Sequence, residues 1–347
     1  MIVLDHTVRT AMKSAGHYIL AQQRKDGAIP WYCGNKIDPW NHCEAMMGLT
    51  LSGDGEAFAN ACAWLRATQN EDGSWYACYG IETASMETRK IETNFVAYFA
   101  TTLFHHFLVT KDRSSVEENF PCVAKAIDFV VGQQRRDGDI QWALSDRETL
   151  ARDSLLTACS SILRSLECAI SLADLIGVEA QRWIEAHGKL ADAIKNKPWR
   201  FDRTWDSKSR YSMDWFYPIL SGVFSADEAR LRLQENWDKF IVDELGCRCV
   251  CEEPWVTVAE SSELIIALVA SGNRELAAKM LKQLLRWQDE DGGFWTGYQY
   301  ENQVIWPREK TTWTAAAFLL ACDAVHQLSP AASLFTAPSG LLLFENA

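Results

Sequence analysis

The chain has 347 residues, 48% of them hydrophobic and 23% charged, a balance that buries a large core and excludes a disordered polymer. Its formal charge of −12 sets 46 acidic against 34 basic side chains, and no basic tract exceeds the pairs Arg24-Lys25 and Arg135-Arg136, so no nucleic acid is expected as a partner. Met1 to Leu20 mixes Asp5, His6, Arg9 and Lys13 among apolar residues, unlike a secretory signal, and no stretch reads as a transmembrane segment.

The first amphipathic run ends at Gln23-Arg-Lys-Asp26-Gly27, and later runs end at Gln69-Asn-Glu-Asp72-Gly73, Gln134-Arg-Arg-Asp137-Gly138 and Gln288-Asp-Glu-Asp291-Gly292. Asp-Gly suits a helix stop and tight turn, and its recurrence marks a helical repeat. After the turns, helices rich in small residues open near polar positions: Asn41-His42-Cys43-Glu44, Glu92-Thr93-Asn94, Arg152-Asp153-Ser154, Met213-Asp214-Trp215, Glu260-Ser261-Ser262-Glu263 and Glu309-Lys310-Thr311-Thr312. Subtracting along His42, Thr93, Asp153, Asp214, Glu260 and Thr311 gives steps of 51, 60, 61, 46 and 51 residues, room for two helices and two loops each.

Ala158-Cys-Ser-Ser-Ile162 and Ala315-Ala-Ala317 are small on several faces, as the inner helices of a closed ring require. By contrast Gln181-Arg182-Trp183-Ile184-Glu185 and Arg230-Leu-Arg-Leu-Gln234 intersperse charges and belong outside. The expected fold is all-α, an (α/α)6 toroid of six helical hairpins forming one domain over residues 1–347, with repeats over about 10–326 and a C-terminal tail over 327–347. Leu341-Leu-Leu-Phe344 in that tail is expected to pack across one end of the ring, peripheral membrane or partner contact being the other reading.

The pattern Gln-x-x-Asp-Gly-x-aromatic, as from Gln69 to Trp75 and from Gln288 to Phe294, resembles the repeat of squalene and oxidosqualene cyclases and of protein prenyltransferase β subunits. The resemblance implies a hydrophobic small-molecule substrate, isoprenoid or similar, cyclised or rearranged by an acid in a central cavity. It also implies that Gln69, Trp75, Gln134 and Gln288 are structural. The chain departs from the family in having no Asp-Asp dipeptide, so it lacks both the Asp-x-Asp-Asp acid motif and an Asp-Asp-x-x-Asp magnesium cluster. No Asp-x-Cys zinc pair precedes an inner helix.

In such a fold the inner-helix N-termini line one mouth of the cavity, where Asp38, Glu92 and Glu309 would join the expected catalytic set of Asp153, Asp214, Glu260, Glu263, His42 and Glu44. Asp153 leads, because Leu150 to Ala158 resembles an inner-helix start of cyclases. A carboxyl protonates an alkene only if burial or a partner keeps it neutral and acidic. The competing role is helix capping. Trp40, Trp215, Tyr217, Trp255, Trp306 and Trp313 flank these acids as the expected substrate-binding wall, since aromatic faces attract cations and also stack on sugar rings. Trp64, Trp183 and Trp237 read as core.

Cys247-Arg-Cys249-Val-Cys251 alternates three thiols, but structural zinc needs two pairs at Cys-x-x-Cys spacing, so no metal and no cofactor is expected. Eleven cysteines without an export signal point to a reducing compartment and a cytoplasmic location. No P-loop, dinucleotide-binding glycine string, His-Glu-x-x-His or Gly-x-Ser-x-Gly is present. Two further readings stand beside the isoprenoid enzyme. One is a carbohydrate-active hydrolase or lyase, because helical toroids also carry paired carboxylates over aromatics; the other is a non-catalytic binding scaffold.

Overall fold

The computed structural model describes residues 3–80, 86–145 and 153–340. Five of the described α-helices begin where Asp, Ser or Thr stands ahead of the first turn and its side chain accepts from a first-turn amide. Asp5 caps α1 (His6–Gln22) and Asp38 caps α2 (Pro39–Ser52). The next helices are α3 (Gly55–Thr68), α4 (Thr93–Thr110), α5 (Arg113–Gly132, capped by Asp112), α6 (Leu156–Ile176), α7 (Gln181–Asn196) and α8 (Ser212–Leu220). Ser225 and Glu228 form a capping box on α9 (Ala226–Phe240), followed by α10 (Val258–Ala270), α11 (Arg274–Leu284) and α12 (Thr312–His326), the last capped by Thr311.

The even-numbered helices close a ring: α2 packs on α4, α4 on α6, α6 on α8, α8 on α10, α10 on α12, and α12 returns to α2. The odd-numbered helices stand outside, each against one or two inner neighbours. Small residues make the inner packing close, and a Cβ on Gly48 of α2 would lie 3.3 Å from the Ala316 methyl of α12. Every residue from Pro39 to Thr50 and from Val258 to Val269 is buried. One expectation is corrected here, because α6 is long and apolar enough to span a bilayer by length and composition; 89% of its apolar stretch is nonetheless buried, as befits a core helix inside the ring.

The Gln-x-x-Asp-Gly turns tie one outer helix to the next. Nε2 of Gln23, Gln69, Gln134 and Gln288 donates to the carbonyl of Ala57, Cys122, Ala186 and Ala11 at 2.8, 2.9, 2.8 and 2.9 Å, and each also closes its own turn on the Gly carbonyl. The turn glycines have φ near +90°, and on Gly73 a Cβ would run into the Lys125 carbonyl. The residues two places on, Ile29, Trp75, Ile140 and Phe294, are fully buried.

The motif is missing after α7 and α9. Short antiparallel strands gather at this end of the ring: β1 (Cys78–Tyr79) pairs with β2 (Met86–Thr88), and β3 (Ile91–Glu92) with β4 (Ala143–Leu144). A five-stranded sheet runs in the order β5 (Ile241–Val242), β6 (Gly246–Arg248), β7 (Trp255–Thr257), β8 (Gly297–Gln299), β9 (Val304–Ile305). β3 leads directly into α4 and β7 into α10, so these strands rim the N-terminal mouth of the inner ring.

Away from that mouth, the tail packs on α6 and the end of α8. The buried Arg164 guanidinium donates to Leu220 O, to Ala337 O at 2.7 Å and to Glu167 at 2.6 Å, while Leu334 and Phe335 are buried. Leu341 to Phe344, expected to seal one end, lie outside the described residues.

Candidate active site

The sixth residue of each inner helix falls in one layer of the ring: Glu44, Tyr98, Ser161, Tyr217, Glu263 and Ala317, counted from Pro39, Thr93, Leu156, Ser212, Val258 and Thr312. These side chains are all buried. The Tyr98 phenol donates to Glu44 Oε2 at 3.2 Å, and the Tyr217 phenol lies beside Ser161 and Tyr98. One turn nearer the mouth, Trp40 stacks on Tyr98 with ring centroids 4.2 Å apart, and Tyr217 tilts against Trp40 at 5.9 Å. Trp313, on the helix between α2 and α10, lies against both Glu44 and Glu263.

Three carboxyls meet here. Burial pushes Glu44 up to about 8, although the hydrogen bond from Tyr98 and the nearby indoles of Trp313 and Trp40 pull the other way. Burial also raises Glu263 well above the usual carboxylate range, and the negative charges of Glu44 and Glu260 add to the effect. Glu260 is one turn earlier on the same helix, 7% exposed, with the Cys249 thiol beside it. Glu44 and Glu263, both raised and each acting on the other in a poorly solvated ring, do not ionise together, so the pair holds a proton at neutral pH. Around it Asn94 Oδ1, Ser161 Oγ, Glu263 Oε2 and Trp313 Nε1 are buried with no hydrogen-bond partner among the described residues, which is costly unless a ligand's polar groups meet them.

The other expected residues lie elsewhere. Asp153 precedes α6 rather than capping it: the N-cap is Leu155. Its carboxylate accepts from Ser154 N (2.7 Å), Arg203 Nε (3.1 Å), Thr204 N (2.6 Å) and Thr204 Oγ1 (2.9 Å), and these donors outweigh burial and hold it below the usual range. His42 is pinned between backbones, Nδ1 accepting from Ile29 N at 3.0 Å and Nε2 within 3.2 Å of Ala61 O, and burial lowers it to about 4. Asp214 is raised to about 6 by burial and by Asp202, with Arg232, Lys239 and Lys208 around it instead of the three glutamates. Trp215 turns outward, donating to Arg232 O and stacking on Phe240 at 5.2 Å. Trp255 and Trp306 sit on the rim sheet, Trp306 55% exposed.

Among the described residues no three His, Cys, Asp or Glu side chains gather as metal ligands. None of the eleven cysteines forms a disulfide, and in the alternating string only Cys247 is fully buried, with Cys249 and Cys251 partly exposed. Tyr98, Ser161 and Asn94 carry no sequence motif; aligning the inner helices on their sixth residue is the signal that brings out the first two.

Among solved structures the chain superposes on a glycosidase in complex with glucose (TM-score 0.71, 13% identity, 93% of this chain and 99% of that one). It also superposes on a D-mannose isomerase (0.70, 10%, 94% and 100%) and an alpha-amylase from Clostridium perfringens (0.65, 11%, 92% and 98%). At these identities they establish the fold alone, an α/α toroid. No protein-family model matches. The chain is 42% identical over 313 residues, 90% of its length and 85% of the relative's, to the MMP endo-(1,4)-3-O-methyl-alpha-D-mannosidase of Mycolicibacterium hassiacum, and it belongs to that enzyme's family.

This relationship overturns the resemblance to terpenoid cyclases and prenyltransferases, and with it the isoprenoid substrate, the hydrophobic partner and the acid-initiated cyclisation. The reason is physical. The Gln-x-x-Asp-Gly turn fixes how one outer helix is tied to the next, so it reports hairpin architecture and says nothing of the reaction inside the ring.

Proposed function

We propose that the protein is an endo-acting glycoside hydrolase that cuts α-(1,4) linkages within a chain of 3-O-methylated mannose. One observation supports this reading above others: three buried carboxyls, Glu44, Glu260 and Glu263, cluster beside stacked aromatics in a chain closely related to an enzyme of that name.

Glycoside hydrolysis needs a carboxylic acid to protonate the leaving oxygen and a carboxylate to act on the anomeric centre. Glu44, protonated at neutral pH, gives its proton to the glycosidic oxygen as the C–O bond breaks. Glu260, nearer the mouth, takes a proton from the water whose oxygen bonds to the anomeric carbon. Glu263 between them keeps the proton count of the cluster and presents an unpartnered oxygen to a sugar hydroxyl. Trp40, Tyr98 and Tyr217 offer apolar faces to the C–H groups and methyl ethers of the ring, and Trp313 its indole N–H. Eleven cysteines without a disulfide suit a reducing compartment, and we place the enzyme in the cytoplasm.

The test is incubation with an α-(1,4)-linked 3-O-methylmannose oligosaccharide and mass spectrometry of the products. Two shorter chains whose masses sum to substrate plus water support the reading; an intact chain under all conditions rejects it.

A further inference from the structure

The sheet at the mouth has two unlike faces. Register places Trp255, Gln299 and Val304 in one row and Val256, Tyr298 and Ile305 in the next. Side chains alternate across a strand, so the two rows point opposite ways. The second row faces inward: Val256 is 2% exposed and Tyr298 packs on Trp287 at 4.7 Å. The first row faces outward, Val304 is 47% exposed, and Trp306, two residues on, continues the same face at 55%.

This outward face is built rather than incidental. Trp255 Nε1 donates to Trp306 O at 2.6 Å, the two indoles meet edge to face at 5.1 Å, and Trp306 N donates to Gly297 O, so the exposed ring stands on a fixed backbone. Gly297 has no Cβ, and one there would collide with the Trp255 indole lying across the strand. Gln299 has its carbonyl oxygen engaged by Asn302 N at 2.6 Å, leaving the amide N–H groups to point at a ligand. An aromatic plate, an aliphatic neighbour and an amide donor are what a pyranose ring with one apolar and one hydroxylated side requires.

We propose that the Trp255, Gln299, Val304 and Trp306 face is a remote glycan subsite that grips sugar units of the same chain away from the bond being cut. The occupant follows from continuity: β7 carries Trp255 and runs without a break into α10, whose first two turns hold Glu260 and Glu263. A chain cut internally extends beyond the carboxyls on both sides, and one of those sides leaves the ring over this sheet. The inference rests on the endo-hydrolase reading above. A subsite of this kind raises the effective concentration of the scissile bond without touching it.

The experiment compares wild type with Trp306→Ala and Gln299→Ala on 3-O-methylmannose oligomers of about four and about ten units, with KM and kcat measured separately. The expected result is a KM on the long oligomer raised about tenfold in Trp306→Ala and less in Gln299→Ala, with kcat and the short oligomer changed under about twofold. Equal effects on both lengths, or none on either, overturn the subsite, as does a Trp306→Ala protein whose only change is its oligomeric state by light scattering. Failure of wild type to cut either oligomer would instead reject the hydrolase reading, so the two failures are distinguishable.

Discussion

Glu44 and Glu263 hold the same place, the sixth residue, on inner helices α2 and α10, and meet past α12, where Trp313 lies against both. Neither carboxyl has a cation beside it to settle its charge, in contrast to Asp153 with Arg203. A buried acid without a counter-ion keeps its proton, and a proton held at neutral pH is what a general acid supplies.

The raised Glu44 makes stability depend on pH in a stated direction. Between its ordinary value of 4.5 and about 8 the folded chain binds a proton that the unfolded chain has released, so this contribution falls as pH rises through that window. Glu44→Gln removes it, and the melting temperature of the variant relative to wild type should climb from pH 5 to pH 8.5. A gap that stays constant in thermal denaturation across that range would show an ordinary Glu44.

Activity should fall on the alkaline side as the acid loses its proton, with an apparent midpoint near 8 that belongs to the coupled cluster. The Tyr98 phenol steadies the Glu44 carboxylate. Tyr98→Phe should therefore move the alkaline limb of the kcat profile to higher pH. A limb that stays in place, or moves down, would separate Tyr98 from the acid.

Asp153 is a brace on the loop between α7 and α8. Asp153→Asn should lower stability by about 1–3 kcal/mol at pH 7, the usual cost of leaving buried donors unmet. Because its carboxyl is held below the usual range, that loss should shrink as pH falls through the value of about 3.8 that the unfolded side chain has. Chemical denaturation at pH 7 and at about pH 2.5 reads both points.

The turn glycines hold the ring together. Gly73→Ala, at φ +92° against the Lys125 carbonyl, should cost about 1–3 kcal/mol or more from backbone strain alone. Gly188→Ala, on α7 with nothing within 4 Å, should leave the melting temperature unchanged or raised.

Much of the ring can be read from the chain. The six polar starts fall at or beside the first turns of α2, α4, α6, α8, α10 and α12, and the four Gln turns make the cross-links their repetition implies. The reaction cannot be read the same way, because an Asp-Gly turn is selected by helix packing. Asp153 stands out in sequence beside an inner-helix start, yet Arg203 and Thr204, fifty residues on, fold back to neutralise it, and local sequence carries no trace of that return. Glu44 and Glu263 were visible as acids near helix starts. What singles them out is a shared depth in the ring, a property of six helices together.

On the proposed function, the chemistry resides in the glutamates of the inner ring. The most direct measurement is kcat of Glu44→Gln, Glu260→Gln and Asp153→Asn on one 3-O-methylmannose oligosaccharide, each variant first shown to be folded. The expected loss is about a hundred- to ten-thousandfold in the two glutamate variants and under about threefold in Asp153→Asn. Glutamate variants that turn over at the wild-type rate, or an Asp153→Asn protein that is folded and inactive, would contradict it.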